Sequence, residues 1–201
     1  MQHSRSYSVN FTPNGEFASR YPALAHLPFI LDSRPSYHRL GNAYLVERGL
    51  GLWGPESRNQ VLTGRIPTAK SMLSYAQWLA NFLEWADKRK VDLKTCDYAT
   101  HIVSRYQKEM LGSVWECDCY GLAPSTVNLR VQQACDFLTW MADTGQRVVF
   151  KIPYDTAKLR IGSATSSIGH LGFNVRVRKG KVRRPTRPLC MPTDAQVKAR
   201  S

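Results

Sequence analysis

The sequence predicts a mainly α protein: a small helical bundle with an irregular N-terminal extension and a basic, loop-rich C-terminal segment. Three observations carry that reading. Apolar residues recur at helical spacing through residues 68–146, which makes 67–147 the structured domain. Prolines at 22, 28, 35 and 55 interrupt residues 1–66, and Pro67 closes the segment. Residues 148–201 combine Gly/Ser and Pro clusters ("IGSATSSIGHLG", "RRPTRP") with a dense run of cations.

Taken in order, the first 66 residues offer "LPFIL" (27–31) as a short strand and "YHRLGNAYLVERGL" (37–50) as a short helix or strand. The rest of that segment reads as irregular. Thr68 then caps a helix running to about Lys88, whose Met72, Tyr75, Ala76, Leu79, Phe82, Leu83 and Ala86 share one face. A second helix spans about Tyr98 to Leu111 and buries Ile102, Val103, Tyr106 and Met110. "GSVWECDCYGLAP" is a loop. A third long helix starts with Ser125 as its cap and ends just before Gly145, with Val127, Val131, Ala134, Leu138 and Met141 turned inward. Short connections between three such helices imply a compact, largely antiparallel bundle.

Composition narrows the function. The chain has 201 residues, 43% of them apolar, enough for a real core. No apolar run reaches membrane-spanning length and the N-terminus lacks a signal-peptide core, so a cytoplasmic location is expected. Five cysteines (Cys96, Cys117, Cys119, Cys135, Cys190) have no framework spacing, as expected of reduced thiols. Cys117 and Cys119 resemble half a zinc site, but no second Cys or His pair stands at matching spacing, so no metal or other cofactor is expected. Nothing points to a small-molecule substrate.

Charge is more informative. Lys and Arg number 28 against 15 Asp and Glu, for a net +13. From Arg147 onward there are thirteen cations and only Asp155 and Asp194 as acids. So concentrated an excess favours a polyanionic partner, and counterion release gives a flexible basic segment affinity for nucleic acid. A solvated tail is the plain alternative.

Two polar stripes sharpen the expectation. Lys70, Ser74, Gln77 and Asn81 line one side of the first helix; Thr126, Arg130 and Gln133 flank the buried face of the third. Both stripes stay uncharged or basic until Glu84 and Asp136. A solvated face ordinarily mixes Glu with Lys, whereas amides, hydroxyls and lone cations suit base edges and phosphates. Helix starts add free N–H groups and a positive dipole end. An ordinary polar face remains open. The two helices also share a pattern: Ser71 and Thr126 each stand eleven residues before a Phe and fourteen before a Trp (Phe82, Trp85; Phe137, Trp140). Those aromatics lie far from the helix starts and are read as packing.

"SMLSYAQWLANFLEW", "DYATHIVSRYQKEM" and "LAPSTVNLRVQQACDFLTWMADTG", in that order, resemble the core-binding domain of tyrosine recombinases, the phage integrase family. The resemblance covers residues 68–146 and extends loosely to "LPFILD…GNAYLVERG" and to "LCMPTDAQV", which looks like the lead-in to the family's catalytic domain. It implies a SAM-like bundle clamping one face of a double-stranded recombination site. Other recombinase protomers would share that site. It places Lys70, Ser71, Ser74, Thr126, Asn128 and Arg130 nearest the DNA. Gln77 and Gln133 join them from the stripes. Arg176, Arg178, Lys179, Lys181, Arg183 and Arg184 form the basic linker. The resemblance also implies catalytic arginines, a His-x-x-Arg element and a late nucleophilic tyrosine. No His-x-x-Arg occurs and no Tyr follows the linker, so no catalytic residue is assigned and these 201 residues alone are not expected to cut DNA. The rival from another class is a helical protein-interaction module with a non-specific basic tail, using Trp53, Trp78, Trp115 and Tyr120 as an exposed patch.

Overall fold

Thr68 closes the first turn of the longest N-terminal helix, its hydroxyl accepting the Ser71 amide at 3.2 Å. In the computed structural model, which describes residues 7–11, 15–34, 36–55, 66–115, 121–160 and 172–183 (Phe17, 157–160 and 172–175 as backbone alone), that helix is the fourth of a mainly α chain. The order is β1 (Ser8–Phe11), α1 (Glu16–Arg20), α2 (Pro22–Ala25), β2 (Pro28–Leu31), α3 (Arg39–Gly49) and α4 (Ala69–Lys88). A π-helix (Tyr98–Gln107) follows and runs into α5 (Lys108–Leu111), then α6 (Pro124–Asp143), β3 (Tyr154–Arg160) and β4 (Gly172–Arg178). β1 pairs antiparallel with β2, and β3 with β4.

The apolar faces expected of α4 and α6 are the core. Met72, Ala76, Leu79, Phe82 and Leu83 are buried against Val127, Val131, Ala134, Leu138 and Met141 in one cluster. α6 ends as its sequence requires, with Gly145 at φ +71°, a left-handed conformation in which a side chain is strained. Its beginning differs from expectation. Ala123, not Ser125, is the capping residue; Pro124 opens the helix, and no side chain caps the first turn. The second helix covers its predicted range but is wound as a π-helix over ten residues, started by Asp97 accepting the Thr100 amide at 2.8 Å. Tyr98, Ile102, Tyr106 and Gln107 are its buried positions; Val103 is half-buried.

The irregular N-terminal extension is corrected in part. Leu27, Ile30, Tyr44 and Leu45 belong to the same core as α4 and α6. Residues 36–49 are free of proline, and His38 caps α3 by accepting the Gly41 amide on Nδ1 at 3.0 Å. The buried Asn42 fastens β2 to α3, accepting from the Ile30 amide at 2.7 Å and donating to its carbonyl at 2.9 Å. The C-terminal segment is corrected too: 154–160 and 172–178 form a hairpin rather than loop.

Two packing units repeat. Phe82 and Trp85 of α4 stack at 6.0 Å, Tyr106 packs on both, and the Trp85 indole donates to Glu109 at 3.0 Å. Phe137 and Trp140 of α6 also stack at 6.0 Å, Tyr44 packs edge-on to both, and the Trp140 indole donates to Glu47 at 2.7 Å. In each unit a Phe-x-x-Trp on a long helix meets a Tyr-x-x-Glu on a shorter one. The ring faces bury apolar area, while the carboxylate satisfies an indole N–H that would otherwise be desolvated without a partner. The shared aromatic pattern of the two long helices is therefore packing.

Helix directions follow from these contacts. The Leu122 amide, just before α6, donates to the Met110 carbonyl at 3.0 Å, and neighbouring Glu109 holds Trp85 and Arg89 at the end of α4. At the other end, Ile66 lies against Gly51, and the Trp53 indole donates to Asp143 at the end of α6 at 2.9 Å. α4 and α6 thus run antiparallel, each beginning beside the other's end.

Candidate nucleic-acid interface

The antiparallel arrangement separates the two helix starts that the sequence placed on one surface. A twenty-residue helix is about 30 Å long, so most of that length lies between them. At the start of α4, Lys70 and Gln77 are exposed and Ser71 and Ser74 half-buried. Both hydroxyls already have partners: Ser71 shares a hydrogen bond with Thr68 at 3.0 Å, and Ser74 donates to the Lys70 carbonyl at 3.2 Å. At the start of α6, Thr126 and Arg130 are half-buried.

Three of the expected DNA contacts are corrected outright. Gln133 is 3% exposed and donates through Nε2 to the Tyr44 hydroxyl at 2.8 Å. Burial pushes the Tyr44 pKa well up, so that hydroxyl is a neutral partner for the amide. Arg178 is 5% exposed; its Nη1 donates to the Tyr98 hydroxyl at 2.6 Å and its guanidinium approaches Gln107 Oε1 at 3.5 Å. Asn128 has both amide atoms engaged with Val182, donating to its carbonyl at 2.8 Å and accepting from its amide at 3.0 Å. Each of these polar groups serves a long-range contact within the chain in place of the ligand contact its sequence position suggests.

Together those contacts build what the sequence did not show. The Tyr98 hydroxyl donates to the Lys179 carbonyl, Gln107 Nε2 to the Gly180 carbonyl at 2.9 Å, and Asn128 grips Val182. The chain after β4 is thereby strapped across the π-helix and onto the first turns of α6. Gly180, at φ +77°, makes the turn; a Cβ there would meet Val103 at 3.2 Å. Lys179, Lys181 and Arg183 remain exposed, alternating with the half-buried Val182. Lys179 is paired with Asp155 at 3.2 Å, but both are exposed and such a pair contributes little. Arg176 is exposed with its guanidinium 4.6 Å from the Tyr154 ring. Arg184 lies outside the described residues.

Tyr98 and Gln107 were missed as parts of this region. The signal available was the alternation of "VRVR" (175–178), which reads as a strand needing a partner and does not point to Tyr98 or Gln107. Burial raises the Tyr98 pKa against the opposing pull of Arg178, so the hydroxyl stays a donor.

The tryptophan patch expected of an interaction module does not form among the described residues. Trp115 is 5% exposed and donates to Asn81 at 3.2 Å, Trp53 is half-buried and bonded to Asp143, and Trp78 is half-buried beside Tyr75. Tyr120, Cys117 and Cys119 lie outside the described residues, as do Cys190 and "LCMPTDAQV". Among the described residues no His/Cys/Asp/Glu group is arranged to hold a metal, and no helix is long and apolar enough to cross a membrane. Compared with protein-family models, curated proteins and solved structures, the chain matches none.

Proposed function

We propose that this chain binds double-stranded DNA, with the contact surface made by the strap at 179–183 and the adjoining start of α6. The observation that carries this is the clamp itself. Tyr98, Gln107 and Asn128 spend polar atoms holding a backbone segment whose exposed side chains are Lys179, Lys181 and Arg183, and Arg178 donates to the Tyr98 hydroxyl behind it. A solvated tail has no need of such fixing. Held cations lose less conformational entropy on meeting phosphates than free ones do. The uncapped first turn of α6 beside them adds N–H groups and a positive dipole end.

The finer reading is that the bundle is the SAM-like, core-binding part of a site-specific tyrosine recombinase, acting in DNA recombination and integration. Its support is the resemblance of residues 68–146, together with helices found over those ranges. In this form the reading does not use Asn128 or Gln133 from the helix stripes or Arg178 from the linker as DNA contacts, and it does not join Lys70, Ser71, Ser74 and Gln77 to the α6 surface.

The test is binding to a pool of random duplexes at rising salt. Replacing Lys179, Lys181 and Arg183 by Gln should flatten the slope of log K against log salt by about three, since each phosphate neutralised contributes about 0.9. A wild-type affinity indifferent to salt would remove DNA from the reading. Selection from randomised duplexes tests the recombinase affiliation: recurring half-sites support it, and no enrichment leaves a non-specific DNA binder.

A further inference from the structure

Ten residues of π winding need something to hold them. A π-helix forms mostly as a single turn inserted in an α-helix, whereas Tyr98–Gln107 covers about two turns. Its flanks are wound as α. The His101 amide meets the Asp97 carbonyl four positions back at 3.2 Å, and α5 continues from Lys108. The π winding is thus an insert between α-type turns.

Angles around the helix show what that winding does. An α-helix turns about 100° per residue, and a π-helix, at about 4.4 residues per turn, about 82°. Counted from Ile102, both Tyr98 and Tyr106 fall within about 40° in either winding, so this buried stripe faces the core in both. Gln107 behaves differently. Under π winding Tyr98 and Gln107 share one flank, about 30° and 50° round from Ile102. Under α winding Tyr98 crosses to about 40° on the other flank and Gln107 goes to about 140°. The two side chains would then stand on opposite sides of the helix.

The strap depends on their being together. Arg178 donates to the Tyr98 hydroxyl at 2.6 Å and approaches Gln107 Oε1 at 3.5 Å, so one guanidinium spans both side chains. The next two carbonyls go to the same pair, Lys179 to Tyr98 and Gly180 to Gln107 at 2.9 Å. Gly180 also lies over Val103, between them in sequence. One guanidinium and two successive carbonyls cannot reach residues on opposite sides of an α-helix.

We propose that residues 98–107 are a winding switch: the strap docks on the π-wound helix, and its release rewinds the helix to α with the core stripe in place. This rests on the DNA-binding reading above and supplies the regulation of that same surface. A duplex that needs Lys179, Lys181 and Arg183 fixed selects the π winding, and whatever frees the strap lowers affinity for the duplex by the same coupling.

The experiment uses the full chain. Through-hydrogen-bond NMR couplings read whether each amide from Val103 to Gln107 pairs with the carbonyl five or four positions back. Two variants free the strap from different sides: Asn128→Ala with Gly180→Ala acts from outside the helix, and Gln107→Met from within it. The wild type should show five-back pairing, and both variants four-back pairing. Unchanged pairing in the middle of α6 reports that a variant is folded, and either variant decides alone. Where about a tenth of the molecules keep the strap docked, affinity for a random-sequence duplex should fall about tenfold, and saturating duplex should restore five-back pairing. Five-back pairing that persists in a folded variant overturns the switch and leaves the strap as a DNA surface. Loss of both pairings also overturns it, by showing a segment that melts rather than rewinds. Duplex that binds a variant without restoring five-back pairing overturns the coupling. A wild type without salt-dependent duplex binding removes the DNA reading instead, and the couplings alone then decide the switch.

Discussion

Replacing Asn128 by Ala separates two roles that a DNA-facing asparagine and a clamping asparagine would otherwise share. The side chain makes two hydrogen bonds to one residue, donating to the Val182 carbonyl at 2.8 Å and accepting from its amide at 3.0 Å. Each such bond contributes a net ~1 kcal/mol, and a donor left without a partner costs ~1–3 kcal/mol if water cannot reach it. Val182 is half-buried, so water reaches part of the site and the lower end applies. About 1.5–2 kcal/mol is expected, released locally as easier opening of the strap. By the rule that ~1.4 kcal/mol is a factor of ten, the Val182 amide should exchange with deuterium roughly ten- to thirtyfold faster. Amides in the middle of α6 should be unchanged. Asn128→Asp keeps an acceptor for the Val182 amide but turns an oxygen toward its carbonyl, and should fall at least as far in exchange protection. Under the proposed DNA binding, a loosened strap should weaken every duplex alike, because Lys181 and Arg183 would lose their fixed position. An adenine-reading asparagine would instead lose discrimination between sequences. Unchanged exchange at Val182 refutes the clamp, and loss confined to one sequence class restores base reading.

Other outcomes follow from the core and its polar groups. Trp85→Ala and Trp140→Ala each remove a fully packed indole from one of the two aromatic units and should each cost ~3–5 kcal/mol by urea unfolding; a loss below ~1 kcal/mol in either would show that the unit does not hold its helix pair. Gln133→Ala leaves the buried Tyr44 hydroxyl without its donor and should cost ~1–3 kcal/mol, with Tyr44→Phe in the same background recovering part of it. Burial lowers the His38 pKa below its ordinary value near 6.5, so the unfolded chain binds a proton that the folded chain resists. That contribution is complete above about pH 6.5 and is lost as pH falls through the depressed folded value. His38→Asn, which keeps a capping acceptor for Gly41, should therefore narrow the stability gap between pH 7 and pH 5; an identical gap in both proteins would count against it. Burial pushes the Cys96 thiol up to about 12 and raises Cys135 further still, so neither should react with a thiol reagent at about pH 8 until the chain unfolds.

Local signals carried far in this sequence. Thr68 after a proline, Gly145 after a helical run, and apolar residues at three- and four-residue spacing gave α4 and α6 their faces and nearly their ends, because caps and amphipathicity act within a turn or two. What failed was any inference about a polar side chain's partner. Gln133 meets Tyr44 across 89 positions, Asn128 meets Val182 across 54, and Arg178 meets Tyr98 across 80. No periodicity contains those distances. The π-winding of Tyr98–Gln107 was illegible for a related reason: its buried positions resemble those of an α-helix over so short a span. Residues 36–49 were obscured by the prolines around them, although the stretch itself has the cap and the length of a helix.

The polar stripes misled for a physical reason that also narrows where a ligand can bind. Each long helix carries its aromatic pair in its second half, and each aromatic unit needs amides and carboxylates to satisfy its hydroxyls and indoles. Asn81 accepts from both Tyr106 and Trp115 at 2.8 and 3.2 Å, Gln133 serves Tyr44, and Glu47 and Glu109 serve the tryptophans. A stripe of amides on such a helix is therefore outward at its start and inward toward its end, with the change at about the third turn. Only the early positions are left to meet a partner. On α4 these lie beside the 51–53 loop, away from the strap cations, and adjoin no dense cluster of cations among the described residues. On α6 they adjoin Lys181 and Arg183, which Asn128 itself, two residues past Thr126, draws against the helix. The same packing rule that removes Gln133 from the surface thus leaves the first turn of α6 as the place where fixed positive charge and free helix-start geometry coincide.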